Sequence, residues 1–262
     1  MLRIERDPRG IATLTLDRPA ERNALDAELI ARLCETLADL AADQELRVIL
    51  LTGAGSAFCA GADIAGMRAA GQAAPEQNVG DARRFVALLD RLERLPQPTI
   101  AVVNGAAYGG ALGLIAACDI AVAGASARFA LSEVRLGLIP AMISPYVIRA
   151  IGARQAARYM QTGEVLDART AERIGLVHEA VEDAELPAAV DRLVDALLAG
   201  GPGAQREIKM LLRRVTGRGE ASDTALQGEL AHWIARLRGS DEGTEGLSAF
   251  LERRRPRWRD PG

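Results

Sequence analysis

Glu133, in the stretch ALSEVRLGLIP, is the acidic side chain whose surroundings suit proton transfer. It follows the short strand-like RFAL and sits among apolar residues. A carboxylate that loses water in such a place has its proton affinity tuned for acid–base work. On spacing alone the alternative is a surface charge that pairs with Arg135 or caps the next turn. Two junctions of small residues suggest a second kind of chemistry: CAGADI (Cys59–Ile64) and YGGAL (Tyr108–Leu112). Each follows an apolar strand and precedes a helix signal, and helix N-termini present unpaired N–H groups at the positive end of the dipole. If Ala62 N–H and Gly110 N–H converge, they form a hole for a developing oxyanion, each donor worth about 3 kcal/mol in a transition state. The same glycines also fit a plainer role, close helix–strand packing. Neither junction matches GxGxxG or a P-loop, which leaves a Rossmann nucleotide site a weak competitor.

Other reactive side chains read as structural. Asp63 is placed to cap the turn that follows it. His178 and His232 lie far apart, without HExxH or a Cys/His cluster, so a zinc site has little support. Cys59 stands beside the first junction, but no base lies near it in sequence to make it a nucleophile. Cys34, Cys59 and Cys118 form no CxxC pair and suit buried thiols of a reducing compartment.

Around these residues the chain supplies a large aliphatic core. Hydrophobic residues make up 49% of the 262 and aromatics only 3%, so stacking platforms for bases are few. A net charge of −3 argues against a protein built mainly to coat nucleic acid. No apolar run approaches the roughly 18 residues of a membrane span. The opening LRIERDPRGIATLTLD reads as two strands about an Asp7–Gly10 turn rather than a leader, and a soluble, cytoplasmic protein is expected.

The elements that must position the candidates follow in order. Asp26 caps a helix with Leu29, Ile30, Leu33, Leu37 and Leu40 on one face. VILLTG (Val48–Gly53) is a short strand apolar on both faces, as in a covered parallel sheet. Residues 66–80, rich in Gly, Ala, Gln and Pro, carry no clear period and read as a mobile flap or a surface loop. A helix is expected over Ala82–Leu95, then the strands TIAVVN and DIAVAG on either side of the glycine-opened helix. From about Ser144 the pattern is mostly helical, interrupted by IGLVHEAV, and beyond Pro202 only helix signals remain.

Taken together, AFCAGADI, NGAAYGGALGLIAACDIAVA, ARFALSEVRLGLIP, TGEVLDARTAERIGLVHEAV and the ending FLERRRPRW resemble the enoyl-CoA hydratase/isomerase (crotonase) family over almost the whole chain. The resemblance implies an α/β fold, a crotonase-like spiral of ββα units over residues 1–200. It also implies a helical C-terminal trimerisation region over 201–262. Homotrimers, often paired as hexamers, are the implied assembly, and the basic tail is then expected to dock on a neighbouring subunit rather than on RNA. Carried over residue by residue, Ala62 and Gly110 match the two backbone donors that grip a thioester oxygen. Ala60, Gly61, Asp63 and Ile64 fall in the segment that lines coenzyme A. Ala24 and Leu25 match positions beside the CoA, and Tyr108 and Gly109 accompany the second donor. Glu133 matches the second of two catalytic glutamates.

The position of the first glutamate is Gly113, so the two-carboxylate scheme for holding the attacking water does not transfer intact. A single glutamate here is also what the family's double-bond isomerases use. GGALGLIAACD with LSEVRLGLIPAMISPYVIRAIG, which lacks the first acid and has AMISPYV for the usual glycine-rich turn, is most similar to bacterial methylglutaconyl-CoA hydratases and their carboxygeranoyl-CoA relatives, whose substrates bear a second carboxylate. Tyr108, Tyr146 or that carboxylate would then help position water, with Arg135 as its alternative binder. The expected activity is hydration of a 2-enoyl-CoA. The rivals are Δ3-Δ2 isomerisation with Glu133 as sole shuttle and a non-catalytic acyl-CoA or RNA-binding scaffold. Coenzyme A is part of the substrate, and no metal or redox cofactor is implied.

Overall fold

Strands β1 (Leu2–Asp7) and β2 (Ile11–Leu16) form the expected hairpin, closed by Gly10 N–H donating to Asp7 O at 3.0 Å. They begin a computed structural model that describes residues 1–216, 241, 242, 245, 249 and 252–259. Helix α1 (Ala27–Ala42) starts where Asp26 accepts from Leu29 N–H at 2.8 Å, and it buries Leu29, Leu33, Leu37 and Leu40.

From there the chain repeats one unit three times. A strand enters a six-stranded sheet, a second strand enters a four-stranded sheet, and helix follows. The first unit is β3 (Val48–Gly53), β4 (Ala57–Cys59), α2 (Ile64–Gln72) and α3 (Pro75–Arg94). The second is β5 (Thr99–Val103), β6 (Ala106–Tyr108) and α4 (Gly110–Ala117). The third is β7 (Ile120–Gly124), β8 (Arg128–Ala130), a 3-10 turn at Ser132–Leu136 and α5 (Ser144–Thr162), kinked at Gly152. Two short strands, β9 (Leu166–Asp167) and β10 (Glu179–Val181), flank α6 (Ala168–Arg173) and end the sheets. The large sheet runs β1-β2-β3-β5-β7-β10 and the small one β4-β6-β8-β9. Within each sheet the strands of successive units are parallel neighbours, which is a ββα spiral.

Residues 66–80 differ from the surface-loop expectation, being helical but for Ala73 and Ala74. α2 buries no side chain, and α3 begins at Pro75, well before its apolar face of Phe85, Leu88, Leu89 and Leu92. Neither start therefore carries an apolar period. β9 was likewise hidden in a stretch read as helical; two residues are too few to show alternation.

The chain divides into two compact units, Met1–Arg192 and Leu193–Gly262, with the division inside α7 (Leu186–Ala199). In the second unit α8 (Pro202–Val215) opens with Gly203 and Ala204 N–H both donating to the Glu242 carboxylate at 2.7 Å. Trp258 Nε1 donates to Ala199 O at 3.1 Å, which ties the described part of the basic tail to its own chain. His232 lies outside the described residues. Among the described residues no helix is long and apolar enough to cross a membrane.

Candidate active site

The small sheet delivers its chemistry at one end. β4, β6 and β8 run parallel, and Ala62, Gly110 and Glu133 each follow the last residue of one of them within a few positions. Neighbouring strands stand about 4.8 Å apart, so groups that leave adjacent strand ends emerge side by side. An irregularity in β4 matters here. Ala57 pairs with Ala106, but Cys59 pairs with Ala107, one step behind a regular ladder. The shift sets where the loop after β4 meets the turn after β6.

Two contacts fix the Ala62 loop. Leu25 N–H donates to Gly61 O at 2.7 Å and Asp63 N–H to Leu25 O at 3.0 Å. Consecutive N–H groups of extended chain point to opposite edges, so this bridge turns Ala62 N–H away from Leu25. Behind the bridge, buried Asn23 donates through its amide to the carbonyls of Ala54, Ala57 and Phe58 at 2.9, 2.8 and 3.2 Å. Asn23 holds φ at +59°, a left-handed conformation that asparagine tolerates better than most residues. The RNAL motif thus clamps β4 through Asn23. Gly61 approaches the next turn closely: a Cβ there would lie 2.5 Å from Tyr108 O and 3.6 Å from Gly110 N.

Gly109 has φ +51° and ψ −120°, a conformation essentially reserved for glycine, just before the first residue of α4. Its bare Cα also makes room, since a Cβ would come within 3.1 Å of Glu133 Oε1. Glu133 is carried by the 3-10 turn after β8, where Leu138 N–H donates to its backbone carbonyl at 3.0 Å. Its Oε2 is buried without a hydrogen-bond partner. Burial pushes the carboxyl pKa above the ordinary glutamate value. Such a group takes and returns a proton more readily than an exposed carboxylate.

These groups face a cavity of about 400 Å³. Its lining includes Leu25, Ala60, Gly61, Ala62, Asp63, Ile64, Gly109, Gly110 and Glu133, nearly all the residues expected from the sequence. The rest of the wall is largely apolar and includes Ile30, Met67, Phe85, Leu136, Leu138, Ile139 and Ile143. Among the described residues, the charged side chains of the lining are Asp26, Asp63, Asp81 and Glu133. Asp26 and Asp63 cap α1 and α2, the latter accepting from Gly66 N–H at 2.7 Å. The arrangement has the parts to polarise a carbonyl and move a proton within an apolar slot.

The model of the family described as enoyl-CoA hydratase/isomerase matches residues 6–261. The chain belongs to the enoyl-CoA hydratase/isomerase family. An enoyl-CoA hydratase from Shewanella pealeana superposes with a TM-score of 0.93 at 42% identity, covering 98% of this chain and 95% of that one. Two Escherichia coli relatives differ in the reaction they are named for. A 2,3-dehydroadipyl-CoA hydratase is 35% identical, with 94% of each chain covered. A 1,2-epoxyphenylacetyl-CoA isomerase is 33% identical, with 95% of each chain covered. The spiral described above is therefore the fold of this enoyl-CoA hydratase/isomerase, and the chain is an enzyme of that family.

Four expected participants are not part of the cavity lining. Ala24 is buried outside the lining, its carbonyl accepting from Arg18 Nη1 at 2.6 Å. Tyr108 offers its backbone carbonyl to the Gly61 approach but is not part of the lining, nor is Tyr146, whose ring lies 5.5 Å from the Arg149 guanidinium carbon. Arg135 is exposed and faces Gly163. Tyr108, Tyr146 and Arg135, named from the sequence as water-holders or carboxylate-binder, are not among the lining residues. Cys59 is buried and its thiol is pushed up to about 12 by desolvation, which suits a packed side chain rather than a nucleophile. His178 accepts from Ala121 N–H at 3.0 Å and stitches the edge of β7, an ordinary structural role.

Sequence reasoning missed the apolar wall. Phe85 and Ile143 line the site from α3 and from the residue before α5, yet neither carries a chemical signature. Gly113 is buried in α4 and is also off the lining. A Cβ on it would overlap Ile143 Cγ2, stand 3.0 Å from Ile143 Cβ and come within 3.3 Å of Leu89 Cδ1.

Proposed function

We propose that the chain adds water across the 2,3-double bond of a 2-enoyl-CoA thioester, with Glu133 as its one acid–base group. The observation that carries this is a buried, unpartnered Glu133 Oε2 in the cavity shared with the Ala62 and Gly110 backbone. In this reading the thioester oxygen lies between Ala62 N–H and Gly110 N–H. Their pull makes C3 electrophilic. Glu133 removes a proton from water as the water oxygen bonds to C3, and the π electrons move to the thioester oxygen as an enolate. The N–H pair stabilises that charge by about 3 kcal/mol per donor. The enolate then collapses, and C2 takes the proton from Glu133, which leaves the carboxylate ready for the next turnover. No metal or redox partner is called for, because the thioester carbonyl accommodates the electrons.

A second reading is favoured by the packing at Gly113. With Ile143 over that position, Glu133 works alone, and one carboxylate suffices to take a proton from C2 of a 3-enoyl thioester and return it to C4. Among hydration substrates, a methylglutaconyl-type group is put first on the sequence resemblance alone. Among the described residues the charged lining is all carboxylate, and none of these offers the distal carboxylate a cationic partner. A homotrimer or hexamer in the cytoplasm is proposed on the same resemblance.

The test is conversion of 3-methylglutaconyl-CoA, crotonyl-CoA and a 3-enoyl-CoA in isotopically labelled water, followed by mass spectrometry. Labelled oxygen in a product supports hydration. A shifted double bond without added oxygen replaces hydration with isomerisation, and no conversion of any substrate favours the scaffold.

A further inference from the structure

Position 113 and position 143 share one volume. Gly113 lies inside α4, where glycine costs about 1 kcal/mol against alanine, so its lack of a side chain has to be matched by something. Ile143 supplies it. The side chain is only 2% exposed, lies over the bare Cα of Gly113, and also lines the cavity that holds Glu133. β-Branching leaves it few rotamers with which to retreat. The overlap with a Cβ at 113 involves Ile143 Cγ2, and its own Cβ stands 3.0 Å away; that atom moves only with the backbone. Leu89 closes the same spot from α3 at 3.3 Å. The wall here is therefore a firm apolar stop, unlike the Ile139 part of the lining, which is 78% exposed.

We infer that Ile143 determines which acyl groups the site accepts, its side chain being the stop against which the apolar body of the acyl chain rests. This rests on the reading of the cavity as an acyl-CoA site. In that reading Ile143 stands where a side chain of residue 113 would otherwise reach the substrate. It thereby sets acyl bulk and keeps a second polar group out, without taking part in bond making.

Binding of saturated acyl-CoAs, which cannot be hydrated, isolates this role from catalysis. Affinities for butyryl-CoA, 3-methylbutyryl-CoA, hexanoyl-CoA and free CoA would be measured by calorimetry on the wild type, Ile143→Val, Ile143→Ala and Gly113→Ala/Ile143→Ala. A buried methylene is worth about 0.8 kcal/mol, close to fourfold in affinity. Ile143→Ala is expected to shift the preference towards the bulkier acyl groups by about tenfold or more, at two or more methylenes' worth of space. Ile143→Val should shift it less. The double variant, which returns a methyl to the same hollow from the other side, should move the preference part of the way back. Free CoA should bind all four proteins equally. An unchanged ranking of acyl groups in Ile143→Ala overturns the inference, as does an equal loss for every ligand including free CoA. If wild type binds no acyl-CoA, the acyl-CoA reading and this inference fall together. A shifted ranking in a chain that turns over no enoyl substrate would sink the hydratase proposal and leave the role of Ile143 standing.

Discussion

Gly110 and Gly113 sit one turn apart on the same helix, and their missing side chains make room for different things. At the first turn of α4, a Cβ on Gly109 would come within 3.1 Å of Glu133 Oε1 and one on Gly110 within 3.1 Å of Phe85 Cζ, both residues of the cavity lining. At Gly113 the space is already taken by Ile143, so the absence serves packing and closes the wall. A glycine in sequence reports only that something approaches closely. Whether that is a ligand or a neighbouring side chain depends on what the fold brings alongside, here the residue before α5.

The strongest way to break this contrast is to remove the group that the open end serves. Glu133→Gln should lower turnover by about 10²–10⁴-fold, the usual worth of a general acid–base group, with acyl-CoA affinity nearly unchanged. Full activity in this variant would reduce the open end to packing as well. Next in size is Gly109→Ala. A side chain at φ +51° with its Cβ 3.1 Å from Glu133 Oε1 strains the backbone and pushes the carboxylate, and strain of this kind costs about 1–3 kcal/mol. Steady-state kinetics should show kcat falling more than KM rises.

Gly113→Ala tests the closed end. Helix propensity alone predicts a gain of about 1 kcal/mol, whereas overpacking against Ile143 predicts a loss of about 1–3 kcal/mol. Thermal or urea unfolding should show the loss; a more stable variant would mean that Ile143 yields easily and the contrast between the turns is false. The smallest effect is the pH response of Glu133. Burial raises its pKa, so the folded chain keeps a proton there that the unfolded chain has released. Its contribution to stability is whole below the ordinary glutamate pKa and is lost as pH rises through the raised value. Glu133→Gln removes that slope, and its Tm advantage over wild type should therefore grow with pH across this window. The acidic limb of kcat/KM in the wild type should lie above the ordinary glutamate range for the same reason.

Much of the scaffold was legible because it is local. The Asp7–Gly10 turn, the Asp26 cap and the VILLTG strand each declare themselves within a few residues. So did the candidates themselves: Ala62, Gly110 and Glu133 belong to one cavity, as the motif resemblance implied. What stayed hidden was of two kinds. α2 and the start of α3 bury nothing, so no apolar period marks them as helix. Phe85 and Ile143, by contrast, owe their place in the lining to tertiary packing, and an apolar side chain looks the same in sequence whether it faces a core or a substrate. Tyr108 and Tyr146 are the converse: each has a hydroxyl suited to holding water, and neither is part of the lining.

The irregular pairing in β4 has a consequence for how finely the site is aligned. Had the ladder continued from Ala57 opposite Ala106 without a slip, Cys59 would stand opposite Tyr108 rather than Ala107. A strand advances about 3.3 Å per residue, more than the length of a hydrogen bond. The extra residue between Ala57 and Cys59 therefore acts as a one-notch vernier, moving the loop that follows by a single step against β6. Deleting one residue there would leave every side chain of the cavity chemically intact and misalign the sole feature no side chain can repair, the phase of one backbone against the next.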